Sequence, residues 1–194
     1  MRKFLFSTII FCIIIADNIS AQGFESGAFG APVLKYTKLV NQSALVIGGK
    51  GGWVINKRFV LGAGIYALAS NVKSPVFDQQ SGQSVMLNFN YGGLELGFLL
   101  LRQSKFNLAL DMLFAGGGIE YYARDKNKTN GSFGNESLLV WEPQLSFETE
   151  LFKWFHLDAG VSYRMISSYV ELNKVTKDNM QGINFLLTFK FGTY

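Results

Sequence analysis

Glu142, Glu148 and Glu150 share one parity within a run of residues, and His156, Asp158 and Arg164 share one parity within the next. In an extended chain, residues of one parity project from one face. The short connection Phe152-Lys153-Trp154 joins the two runs, so pairing them sets carboxylates beside an imidazole, a guanidinium and a further carboxylate. Lys50, Glu95, Asp111 and Glu120 are ionisable residues on the polar faces of other runs. Buried carboxylates must be paired or neutralised. The set can therefore be a network of ion pairs that fills an interior, or a path selective for protons or ions. Metal chemistry is disfavoured, because the chain has one His and one Cys, Cys12. Gly48-Gly49-Lys50-Gly51-Gly52, Gly92-Gly93 and Gly116-Gly117-Gly118 match no phosphate-binding or dinucleotide-binding motif, and no helical pattern follows them.

The elements that must hold these residues are extended. Apolar residues recur with period two in eight runs, about 26–39, 44–56, 59–69, 85–101, 106–122, 138–152, 155–167 and 180–191. Ile183, Phe185, Leu187, Phe189 and Phe191 share a face of the last run against Asn184, Thr188 and Lys190, with Leu186 as an exception. Leu139, Trp141, Leu145, Phe147 and Leu151 alternate with Glu142, Gln144, Ser146, Glu148 and Glu150. Two runs change phase. Val85, Leu87, Phe89 and Tyr91 give way to Leu94, Leu96, Phe98 and Leu100 after Gly92-Gly93, and the fifth run does the same around Gly116 to Gly118. One inserted residue flips the faces downstream and Gly tolerates it, so a β-bulge is expected at each place. Pro143 removes a ladder donor, and a bulge near the outer rim of the sixth run is expected to absorb it.

The connections alternate in length. Asn56-Lys57-Arg58, residues 102–105 and Phe152-Lys153-Trp154 are short, whereas 70–84, 123–137 and 168–179 are long and polar. The first connection, Val40 to Ser43, is the short exception. With the mature N-terminus in the periplasm, every long loop falls outside, the asymmetry of outer-membrane barrels. Asn127, Asn130 and Asn135 open glycosylation-like triplets and are read as ordinary polar loop residues.

Residues 1–21 have the layout of a secretory signal: Arg2 and Lys3, an apolar stretch from Phe4 to Ala16, and cleavage after Ala21. That stretch is too short to span about 30 Å of hydrocarbon. The mature domain, 22–194, then has no cysteine. Its 18 basic residues less Arg2 and Lys3, against 14 acidic less Asp17, leave +3, scattered rather than in a stripe. This is no nucleic-acid signature.

Alternation alone leaves open which face meets water. The apolar faces hold on the order of 30 side chains, the aromatics up to about 200 Å² each, more than an eight-stranded interior can take. The opposite faces, with Gly48, Gly52, Gly62, Gly64 and Gly160 beside the ionisable residues, suit a narrow lumen. Lipid offers backbone groups no hydrogen bonds, so the sheet must close. The expected fold is all-β: an eight-stranded antiparallel up-and-down transmembrane β-barrel, with apolar side chains outward and ionisable ones along the axis. Such a lumen leaves no continuous water channel, which favours the ion-pair network over conduction. Phe59, Phe106, Trp154 and Phe155 are expected in one interfacial aromatic girdle, and Tyr36, Tyr66, Tyr121, Tyr122, Trp141 and Tyr169 in the other.

With its signal, eight alternating runs, short turns and aromatic end Phe189-Lys190-Phe191-Gly192-Thr193-Tyr194, the chain resembles the small bacterial outer-membrane barrels of the OmpA, OmpX and OmpW type. Around Gly51-Gly52-Trp53 it is also similar to uncharacterised outer-membrane barrels of Bacteroidetes-type bacteria. The resemblance is architectural and covers the mature chain. It implies location in the bacterial outer membrane, contact with outer-membrane lipid, and handling by the barrel-insertion machinery, which reads a terminal aromatic in phase with the apolar face. Tyr194 is out of phase with Phe185 to Phe191, so either Phe191 serves or a bulge intervenes at Gly192. Lipid-modifying barrels use His and Ser. Here His156 and Ser162 share parity, but the strand between them spans roughly 20 Å, and His156 lies by a periplasmic turn. The function expected is non-enzymatic, structural or adhesive, with loops 70–84, 123–137 and 168–179 meeting an extracellular ligand or surface. A transporter or narrow channel for a small apolar molecule is the second alternative, and a lipid-modifying enzyme the third. No cofactor and no nucleic-acid partner are expected.

Overall fold

The computed structural model describes residues 26–77, 84–102, 106–122, 135–167, 171–172 and 175–193. The signal segment, loop residues 123–134, Tyr169 and Tyr194 lie outside the described residues. The barrel strands are β1 (Ser26–Leu39), β2 (Gln42–Ile55), β3 (Phe59–Leu68), β4 (Val72–Phe77), β5 (Ser84–Arg102), β6 (Phe106–Tyr122), β7 (Asn135–Phe152), β8 (Phe155–Ile166) and β11 (Gly182–Thr193). Antiparallel pairing runs β3-β2-β1-β11-β8-β7-β6-β5, and β3 pairs with β5 to close the sheet. Because β4 continues the line of β3 after a break at Ala69 to Asn71, the nine strands make eight staves. Within the expected loop 70–84, residues 72–77 and Ser84 are therefore strand. The link from β8 to β11 carries a two-residue pair, β9 (Glu171–Leu172) with β10 (Val175–Thr176), and a 3-10 turn, Lys177–Asn179.

Local chemistry sets the turns. Leu39 pairs with Gln42 across a two-residue connection in which Val40 (φ 50°) and Asn41 (φ 58°) are both left-handed. That is the backbone of a primed hairpin turn, whose twist matches the strands. Asn suits it, whereas a β-branched residue is strained there. At the other end, Asn56 (φ 50°) and Lys57 (φ 55°) repeat the device, and the Arg58 N–H donates to the Ile55 carbonyl at 3.1 Å.

Along most of each strand side chains alternate between the two faces. Outward positions form a belt that is apolar, aromatic, Gly or Pro among the described residues. It is bounded by Lys38, Asn90, Glu120 and Ser137 at one end and by Arg58, Thr149 and Lys153 at the other. Within it Ile65 is 73% exposed and Phe185 59%. A contiguous exposed apolar surface of this extent is not a water-facing surface. Phe106 stacks on Phe147 at 5.4 Å, and Trp154 contacts Phe152 and Phe191 at 5.7 and 6.2 Å, forming the expected girdle by the short turns. At the far end Tyr36 and Trp141 are exposed as expected. Tyr66 is not: it points inward and is buried, stacked on Tyr91 at 5.1 Å.

The two expected glycine bulges are absent. From Met86–Tyr122 to Leu99–Ala109 the β5–β6 register is unbroken through Gly92-Gly93 and Gly116-Gly117-Gly118. The faces never flip; the filling of the lumen changes. Val85, Leu87, Phe89 and Tyr91 point inward like Glu95, and with Leu39, Val46, Ile119 and Met180 they make an apolar plug in the third of the barrel nearest the Val40-Asn41 turn. Leu186, the exception in the last run, packs with the same cluster. The bulges that do occur are near the short turns, between Leu99 and Leu101 and between Glu150 and Phe152. Pro143 lies in the belt between Trp141 and Leu145. The β7–β8 pairing skips Glu142 and Pro143 and resumes in the same register, so no bulge is needed.

Candidate functional site

The ionisable residues gather below the plug in linked clusters. In the first, Lys50 Nζ lies 2.7 Å from Glu95 Oε1 and 4.0 Å from Asp111 Oδ2, and Gln144 donates to Asp111 at 3.3 Å. Glycine makes this possible: a Cβ at Gly97 would run into the Asp111 carboxylate. The second centres on Glu142, which accepts from Lys35 (2.7 Å), Tyr91 (2.9 Å), Ser162 (2.5 Å) and Asn184 (3.2 Å). The Lys35 ammonium also lies 3.6 Å from the centre of the Tyr66 ring. The third, near the short turns, has Lys190 Nζ between Glu148 (2.6 Å) and Asp158 (2.9 Å), with His156 Nδ1 3.3 Å from Glu148.

Arg164 ties the lumen to the β8–β11 connection. It is fully buried and donates to the Met180 carbonyl at 2.8 Å and to Asn184 Oδ1 at 3.0 Å, with its guanidinium 5.3 Å from the Phe89 ring. Val40 N–H donates to the Asn179 carbonyl at 2.8 Å, so the β8–β11 link is held from two sides.

Of the ten residues singled out in the sequence, Lys50, Glu95, Asp111, Glu142, Glu148, His156, Asp158 and Arg164 are buried in the lumen. Glu120 is not lumenal. It has the outward parity of Leu110 and Phe114 and marks the edge of the belt. Glu150 keeps the inward parity opposite His156 but is exposed at the rim. The polar sets of β7 and β8 adjoin as expected, but Lys35 reaches Glu142 from β1 across the barrel and Arg164 donates to the Met180 carbonyl. Ser162 serves Glu142 and Asn184, not His156. Sequence reasoning missed Lys35, Tyr91 and Lys190 as members. Lys190 was legible from its parity with Asn184 and Thr188, whereas Lys35 lies in a run whose polar face is sparse.

The arrangement neutralises buried charge and fills the interior. Among the described residues no group of His, Cys, Asp and Glu is arranged to hold a metal ion. No protein-family model and no curated protein matches the chain. Its fold does match solved structures. It is similar to Neisserial surface protein A, at 12% identity and TM-score 0.55 over 88% of this chain and 97% of that one. It is similar to the N-terminal β-barrel domain of Pseudomonas aeruginosa OprF, at 11% and 0.55 over 87% and 98%. The outer membrane protein OprG from Pseudomonas aeruginosa follows at 12% and 0.52 over 86% and 94%. The chain has the closed eight-stranded antiparallel fold of the small outer-membrane β-barrels.

Proposed function

We propose that this protein is a non-conducting barrel of the bacterial outer membrane, exported by its first 21 residues, that acts structurally or by surface contact through its outer connections. The observation that carries this is the inverted division of side chains. The belt suits lipid, and the lumen is filled by ion pairs and an apolar plug. A chain so built gains from hydrocarbon around it and offers no continuous aqueous path. The similarity to a Neisserial surface protein and to OprG supports the same location. Outer-membrane lipid and the insertion machinery are its constitutive partners, with Phe191, stacked among Trp154 and Phe155, as the in-phase aromatic end. A ligand or surface would meet the outer connections rather than the lumen. No catalytic step is assigned, since Ser162 and His156 belong to separate clusters.

The test is fractionation with heat-modifiable gel migration, followed by planar-bilayer recording. The protein should sediment with outer membranes, resist carbonate washing, shift in mobility on boiling, and give no discrete conductance steps. Release into the supernatant, or a steady open pore, would overturn the proposal.

A further inference from the structure

Asn107, Glu148, Asp158 and Thr188 stand side by side in one row across β6, β7, β8 and β11, each register-paired with the next. All four are buried. The row holds more acceptors than donors. Asn107 Nδ2 and Lys190 Nζ donate to Glu148, while Lys190 Nζ and Ser146 Oγ serve only Oδ2 of Asp158. Asn107 Oδ1, Asp158 Oδ1 and Thr188 Oγ1 have no hydrogen-bond partner on the protein. Flipping the Asn107 amide does not help, because it would turn an oxygen toward the Glu148 carboxylate. Buried polar groups that the protein does not satisfy are met by ordered water.

We infer that the lumen binds water at this row, one molecule donating to Asp158 Oδ1 and accepting from the Thr188 hydroxyl, with Asn107 Oδ1 hydrated nearer the rim. Asp158 and Thr188 are direct cross-strand neighbours, within reach of a single bridging molecule. A metal cation fits poorly. Calcium and magnesium gather six or more oxygens. Here Asn107 is two strands from Asp158, and the Lys190 ammonium already lies 2.9 Å from the other Asp158 oxygen. The outer third, lined by Leu39, Val46, Leu87, Phe89, Ile119 and Met180, offers water no such partners. Near the short turns the lumen is thus wet along the β6–β7–β8–β11 wall, facing a small apolar cluster of Phe29, Ala31, Val54, Leu99 and Ala109, and it is dry at the other end. This goes beyond the proposed role and holds whatever the outer connections contact.

The experiment is water-selective NMR on the folded protein in micelles, with Thr, Leu and Val methyls labelled. A cross-peak from water to the Thr188 methyl is expected, with none to Leu39, Val46 or Leu87. Thr188→Val keeps the shape, removes the hydroxyl, and should lower the urea midpoint. A dry Thr188 methyl in the wild-type barrel, equal water contact at the plug methyls, or a Thr188→Val midpoint at or above wild type would each overturn the inference.

Discussion

Leu110 is 48% exposed on the outward face of β6. An exposed leucine in water could be changed to arginine at little cost, within about 0.5 kcal/mol. The outward apolar stretch of β6 runs from Phe106 to Phe114. At about 3.3 Å per residue and a tilt of roughly 40°, those positions span a band of ~20 Å, within the ~25 Å of outer-membrane barrels. Leu110 is at its middle. Arginine at a bilayer midplane costs about 2–4 kcal/mol, falling to ~0–1 at the interfaces. Leu110→Arg, refolded into lipid vesicles, should therefore lose about 2–4 kcal/mol in reversible urea unfolding read by Trp fluorescence and gel mobility. Thr149→Arg, at the lower margin of the belt, should lose no more than ~1 kcal/mol. If the two variants unfold alike, and like the wild type, the belt does not face hydrocarbon and the inference from exposure fails.

Lys35→Met leaves the Glu142 carboxylate buried with neutral donors only, and should cost about 3 kcal/mol, the low end for breaking a buried pair. Adding Glu142→Leu should recover at least ~1 kcal/mol of that, since contacting sites couple. Strict additivity in this double-mutant cycle would mean the pair is not dry. Val40→Asn should raise stability by roughly 1 kcal/mol by relieving left-handed strain at a branched residue; a loss of similar size would show that the valine's packing outweighs its backbone. Gly97→Ala should destabilise by about 1–3 kcal/mol, because its methyl displaces the Asp111 carboxylate from Lys50. Wild-type stability in that variant would mean the cluster has room to move.

The outward face was legible where apolar and polar residues alternate with period two, and it was misread on β5 beyond Gly92-Gly93, where Val85, Leu87, Phe89 and Tyr91 point inward. Most of the lumenal charges followed by parity. The apolar plug did not. A change in the parity of apolar residues, as from Tyr91 to Leu94, has two physical causes: an inserted residue, or a lumen that turns from polar to greasy along its axis. Only the unbroken pairing through Gly92-Gly93 separates them. Tyr66 and Leu186 depart from the expected parity for the same reason, since both face that greasy interior. Glu120 shows the converse, a charge beyond the belt where outward polarity is free. Partner choice was least legible: Lys35 meets Glu142 across the barrel, from a residue 107 positions away.

The tight corner at Val40 and Asn41 stops β1 and β2 early, whereas β5 runs on to Ser84, six residues beyond Asn90 at the edge of the belt. At the same rise and tilt that overhang is about 15 Å. Among the described residues this mouth is consequently lopsided, a parapet on the β4–β5 flank and low ground on the β1–β2 flank. A large body descending along the axis touches one flank first and is tipped toward the other, so the rim imposes a compass direction on a cylinder that otherwise has none.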